Sequence, residues 1–150
     1  MDILAAIKQD HKQIVTLLST LGNLNDIQNF YNYFNQLSEE LETHLETKQQ
    51  VFYPVVRQNY PNGSDLVITA EAENRKLKQL LEELETFSPL SPEFKQKTTE
   101  LQQSIQSCFQ QEEKNILLPA KTHLDENQMQ QLGAEYITGK KQLWLEVAQA

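Results

Sequence analysis

The chain has 150 residues and a mass of 17.4 kDa, and it reads as one domain spanning 1–150. Hydrophobic residues make up 39% and charged residues 23%, too apolar for a disordered chain and too polar for a membrane protein. Thirteen Lys and Arg against 21 Asp and Glu give a net charge of −8; without a basic surplus to displace counterions from phosphate, no nucleic-acid partner is expected. No apolar run approaches the roughly 20 residues of a membrane span, so no membrane partner is expected either. The start, MDILAAIKQDHKQ, lacks the basic and apolar regions of a signal peptide. The single cysteine, Cys108, leaves no intramolecular disulfide and no cysteine-rich zinc site, and it fits a reducing cytoplasm.

Breaks fall at Gly22–Asn25, Pro61–Ser64 and Ser88–Pro92, with a softer one from Pro119 to Asn127. Between them the segments are rich in Leu, Gln, Glu and Lys, and predict helices near 2–21, 26–58, 66–86 and 92–120. A fifth, near 126–148, is interrupted by Gly133 and Gly139. Asp26, and Ser64 or Asp65, are the expected N-caps of the second and third helices. The first helix carries Leu4, Ile7, His11, Ile14, Leu18 and Leu21 on one face, and the second carries Phe30, Phe34, Leu37, Leu41, His44, Lys48, Val51 and Val55. The third carries Val67, Ala70, Asn74, Leu77, Leu81 and Leu84, and the fourth Leu101, Ile105, Phe109, Glu113, Ile116 and Ala120. The fold class is therefore all-α, an antiparallel up-down four-helix bundle over about 2–120 with an additional C-terminal helix. Leu132, Tyr136, Trp144 and Val147 give that last segment an apolar face, expected to pack on the bundle or to dock a protein partner or a second copy.

Every stripe contains a polar residue: His11, then His44 and Lys48, then Asn74, then Glu113. Unpartnered polar groups in a core cost several kcal/mol each, so these residues are expected to meet in one internal polar or metal cluster. There is also an internal near-repeat. THLETKQQVFYP at 43–54 aligns with CFQQEEKNILLP at 108–119, which sets His44 against Phe109, Lys48 against Glu113 and Pro54 against Pro119. Residues at i and i+4 point the same way from a helix, so each repeat offers two side chains to one site.

With DHKQI at 10–14, HLETKQQVFYP at 44–54, EAENRKLKQLLEEL at 71–84 and FQQEEKNILLP at 109–119, the chain resembles the hemerythrin-like, HHE cation-binding family. The resemblance covers roughly residues 8–120. It implies a four-helix bundle that in typical members holds a non-haem di-iron centre and binds oxygen, senses iron or oxygen, or handles nitric oxide or peroxide. Position by position, it implies ligands at His11, His44 and Glu113. The second-helix bridging carboxylate is replaced by Lys48, the third-helix histidine by Asn74 and the fourth-helix histidine by Phe109. Phe109 has no donor atom, Asn74 is a poor iron ligand, and Lys48 brings a positive charge toward a cation. The losses remove the terminal ligands of one iron and leave two histidines and a carboxylate, a set like the facial triad of mononuclear iron sites.

Two readings follow. In the first, the bundle has lost its di-iron centre and any cofactor, Lys48 pairs internally with Glu113, and the protein is a non-enzymatic regulatory or interaction protein. Lys48 weighs toward this one. In the second, it is an oxygen, iron or redox sensor or carrier that keeps a single Fe or other divalent metal on His11, His44 and Glu113. An iron-dependent enzyme would need open coordination positions and a substrate cavity, for which the sequence makes no case. No catalytic residue is assigned. Cys108 reads as a buried, inert thiol, and His123, after Pro119, as a solvent-facing or capping residue.

Overall fold

The computed structural model describes residues 1–149, with side chains through 146. Helix α1 spans Ile3–Gly22 and α2 spans Ile27–Thr47. Asp2 and Asp26 cap them, accepting from Ala5 N and Asn29 N at 2.9 Å each, so the Asp26 cap is as expected. Helix α4, Gly63–Leu84, begins one residue before Ser64 and two before Asp65, the caps expected of it. Its cap position is Asn62, at φ 57 with no side-chain bond, and Asp65 sits in the first turn, where its charge faces the positive end of the helix dipole. Helix α5, Pro92–Glu112, is capped by Ser91, with Pro92 in the first turn, where its missing N–H costs nothing.

The long second and fourth helices each carry a local change of winding. After α2 the chain forms a π-helical segment, Lys48–Phe52, and continues as α3, Tyr53–Asn59. After α5 it forms a second, Glu113–Leu117, followed by α6, Ala120–His123. The two segments are offset by 65 residues, the offset of the near-repeat, and each precedes its proline. Each widened turn closes with a bond to the fifth residue back, Tyr53 N to Lys48 O and Leu118 N to Glu113 O, which accommodates a proline that cannot donate.

Helix α7, Glu126–Gln149, runs unbroken through both glycines and lies against α1 and α2. Gly133 is a close-approach residue, since a Cβ there would stand 2.1 Å from the Met1 carbonyl oxygen. Leu132 and Tyr136 are buried, whereas Trp144 is half exposed. The Val147 side chain lies outside the described residues.

Among the described residues the core is two apolar clusters. One, from Ile14 to Leu21 on α1 and Phe30 to Leu45 on α2, includes Leu77–Leu84 and Phe94–Phe109. The other joins Ile3 and Ile7 to Phe52, Val56, Val67, Ile116, Leu124 and Leu132. His11, Lys48, Asn74 and Glu112 fall between the two clusters in chain order along the four helices of the bundle. The polar residues thus form a layer across the middle of the bundle. Among the described residues no helix is long and apolar enough to cross a membrane.

Candidate metal centre

His11 on α1, His44 on α2 and Glu112 on α5 point into this layer. One ligand atom from each lies within 4.8 Å of the others. His11 Nε2, His44 Nε2 and Glu112 Oε1 are buried and make no hydrogen bond. His11 Nε2 stands 3.3 Å from Glu112 Oε1, but without the alignment of a hydrogen bond.

The carboxylate is Glu112, not Glu113. Glu113 is half exposed, its side chain 3.4 Å from Lys8 Nζ on the outside of the bundle. The reason lies in helical winding. A step of four residues advances a side chain about 40° beyond a full turn. The stripe Leu101, Ile105, Phe109, Glu113 takes three such steps in succession and drifts off the buried face. A step of three from Phe109 to Glu112 restores it, and Ile116 then follows. On α2 the steps alternate four and three, so the drift cancels and Lys48 stays on the axis.

Lys48 is 1% exposed, with Nζ 2.7 Å from Glu112 Oε2. The internal ion pair of Lys48 is with Glu112 and not with Glu113, the partner expected from the sequence. Burial opposes both charges, but each is held by the other, so the Glu112 carboxyl lies well below its usual range and the Lys48 ammonium above its own. Tyr53 Oη donates to Glu112 Oε2 at 3.2 Å and accepts from Asn74 Nδ2 at 3.0 Å. Phe109 stacks on the His11 ring, with centroids 3.7 Å apart and planes 9° from parallel.

His44 is held from behind. Its Nδ1 is 3.1 Å from Asp10 Oδ2 and 2.7 Å from Tyr136 Oη, and Tyr136 Oη donates to the same Asp10 oxygen. Lys140 Nζ bridges Asp10 Oδ1 at 2.6 Å and Glu40 Oε2 at 2.8 Å. Burial alone would raise the Asp10 carboxyl; the donors His44, Lys140 and Tyr136 outweigh it and hold it at about 2. Burial, with the Lys48 ammonium adding to it, pushes the His44 imidazole down to about 3, so the ring is neutral. A carboxylate behind a histidine is the arrangement that orients metal-bound imidazoles.

Asp10, Tyr136, Lys140, Glu40 and Tyr53 were not read from the sequence as site residues. Asp10 sits beside His11 in the DHKQI motif, and Tyr136 and Lys140 are four apart on one face of α7, which were the available signals. Cys108 Sγ donates to Glu73 Oε2 at 3.2 Å, and burial, reinforced by Glu73, pushes the thiol up to about 12, as expected of an inert cysteine. Together with Asn74 and Glu112, both residues line a cavity of 170 Å³ between α4 and α5 that reaches the site. His123 is away from the centre, tilted against Tyr60 with ring centroids 4.8 Å apart.

The donors fit one cation and not two. Two atoms bound tetrahedrally to one ion at about 2.1 Å stand about 3.4 Å apart; His11 Nε2 and Glu112 Oε1 are at 3.3 Å, and the widest separation in the set, within 4.8 Å, has to close by up to about 1.4 Å. The places of a second ion's ligands hold an ammonium, an amide engaged with Tyr53 and a phenyl ring.

An all-helical bundle with a central layer of histidine and carboxylate is the architecture of bundle metal proteins. The sequence pattern of the Hemerythrin HHE cation binding domain matches residues 2–120, and the chain belongs to that family. It is 30% identical over 143 residues to a protein of Nostoc sp. (strain PCC 7120) named DNA nickase. That alignment covers 95% of this chain but 40% of the relative. The crystal structure of a Hemerythrin HHE cation binding domain-containing protein, the Rv2633c homolog from Mycobacterium kansasii, superposes with a TM-score of 0.87. It is 17% identical and covers 97% of this chain and 89% of that one, a likeness of fold.

Proposed function

We infer that this chain is a hemerythrin-like regulatory protein that holds one divalent cation per chain on His11 Nε2, His44 Nε2 and Glu112 Oε1. The observation that carries the reading is the convergence of three buried, unbonded ligand atoms in one layer. Left alone, each such atom costs about 1–3 kcal/mol; a cation satisfies all three. Lys48 does not take the ligand oxygen, because its ammonium binds Oε2 and leaves Oε1 facing the histidines. Its charge nevertheless opposes a cation, so affinity is lower than a fully carboxylate-lined centre would give. A bound cation supplies a Lewis-acid centre, while the chain orients His44 through Asp10 and shares Glu112 between Lys48 and the site.

Because the ligands come from α1, α2 and α5, binding stabilises the folded bundle. Elemental analysis after loading with Fe(II), Zn(II) or Mn(II) should give near one equivalent, and the melting temperature should rise with cation concentration. His44→Ala and Glu112→Gln should abolish both effects, and Glu113→Gln should preserve them. Equal shifts in wild type and His44→Ala would overturn the site. If no cation binds at all, the cation-free interaction protein is the reading that stands.

The name of the Nostoc relative raises DNA strand cleavage as a second reading. The net charge of −8 works against phosphate contact by this chain. Supercoiled plasmid incubated with the protein and Mn(II) should stay supercoiled; relaxation lost in His44→Ala would favour cleavage instead.

A further inference from the structure

The family pattern ends at residue 120, and α7 lies beyond it, yet the site's rear wall comes from α7. The geometry points to Tyr136 and Lys140 as positioning residues that act through Asp10 to hold His44 as its Nδ1–H tautomer, with a bare Nε2 aimed at Glu112. The inference rests on the single-cation reading and adds the fifth helix to it.

The proton count drives the argument. Asp10 is ion-paired with Lys140, whose Nζ lies 2.6 Å from its Oδ1, and a carboxylate so paired can only accept. Lys140 fills its Oδ1, and Oδ2 faces both Tyr136 Oη and His44 Nδ1. The tyrosine hydroxyl has one proton to give. If that proton goes to Asp10, the Tyr136 oxygen and Asp10 Oδ2 are both free to accept from Nδ1–H, and every contact is donor to acceptor. If it goes instead to Nδ1, the carboxylate oxygen faces two lone pairs, one on Nδ1 at 3.1 Å and one on the hydroxyl oxygen. Only the first arrangement satisfies the triangle, and it requires the proton on Nδ1. The far nitrogen, Nε2, is then an unprotonated lone pair, the form that binds a cation. Its burial without a partner is what that tautomer leaves behind. Lys140 also ties Asp10 to Glu40 on α2, so the seating of α7 and the aim of His44 are joined through one carboxylate.

The test uses the full chain. In cation-free wild type, nitrogen-15 NMR should show His44 as the neutral Nδ1–H tautomer with a slowly exchanging ring proton. Tyr136→Phe and Lys140→Met should speed that exchange and weaken Zn(II) binding by about 10–100-fold, the usual cost of removing a partner behind a metal ligand. Lys140→Arg should recover most of the loss. Lys141→Met, an equal charge change on the exposed neighbour, should bind Zn(II) within about twofold of wild type if the effect belongs to the Asp10 network. A purely structural role for α7 would lower the melting temperature of the variants without changing zinc affinity or the tautomer, and that result overturns the inference. So does an Nε2–H tautomer in wild type. Wild type that binds no Zn(II), yet shows the Nδ1–H tautomer loosened by Tyr136→Phe, refutes the cation reading and supports the positioning role.

Discussion

Lys48 and Glu112 form a buried pair whose two halves have very different meanings when taken singly. Lys48→Met leaves a carboxylate unpaired, and Glu112→Leu leaves an ammonium unpaired; each should destabilise the cation-free protein by about 3–5 kcal/mol. The double variant should recover much of that loss, because two apolar side chains of similar volume need no partner. Urea unfolding of the four proteins measures the coupling, and a value below about 0.5 kcal/mol would show that the charges do not stabilise one another. Lys48→Met should also bind Zn(II) more tightly than wild type, since the repelling charge is gone and the carboxylate is left without a counter-ion. The pair was legible in the sequence as a lysine on the axis of α2 facing a carboxylate on the fourth helix. The identity of that carboxylate was not, because the family register places it four residues after Phe109. The winding of α5 brings the residue three after Phe109 inward instead.

At the scale of elements, the near-repeat proved to be a structural repeat. Both copies end in a π-helical segment followed by a proline, and these segments lie beside the polar layer. The hydrophobic period revealed the helices but not the widened turns, because a single five-residue winding changes a stripe too little to stand out. Helix α7 was legible with doubt at its glycines, and the two glycines differ in kind. A Cβ on Gly133 would meet the Met1 and Asp2 backbone at 2.1–2.9 Å, while one on Gly139 would meet Thr47 and Val51 side chains at 3.5 and 3.6 Å. Alanine is the better helix former by about 1 kcal/mol. Gly139→Ala should therefore stabilise by roughly that amount, whereas Gly133→Ala should destabilise by about 1–3 kcal/mol as α7 is pushed off the N-terminus. Thermal melts read both signs, and stabilisation by both would show that α7 does not seat closely at Gly133. The contribution of α7 to the site was hidden because no local pattern links Tyr136 to Asp10, 126 residues away.

The whole molecule is a bundle with two apolar clusters parted by a charged layer, and this arrangement makes the cation-free fold acid-sensitive. His44 has a folded pKa near 3 against an ordinary 6.5, and Asp10 one near 2 against 3.8; Glu112 is also depressed. Burial causes the His44 shift by penalising the imidazolium. For the two carboxylates burial acts the other way and is outweighed by the ammonium and imidazole partners. The sign is the same for all three. As pH falls through the window between the two pKa values, the unfolded chain binds protons that the folded one refuses, so stability is lost. His44 opens the loss below about pH 6.5, at up to about 1.4 kcal/mol per pH unit, and Asp10 and Glu112 add to it below about pH 4. Urea unfolding at pH 7, 6, 5 and 4 should trace this decline in metal-free buffer. In His44→Leu the decline should start only near pH 4, since the buried imidazole is gone and the carboxylates remain. Wild-type stability that stays level down to pH 4.5 would mean that folded His44 takes up its proton freely, and that the layer is wetter than its burial indicates.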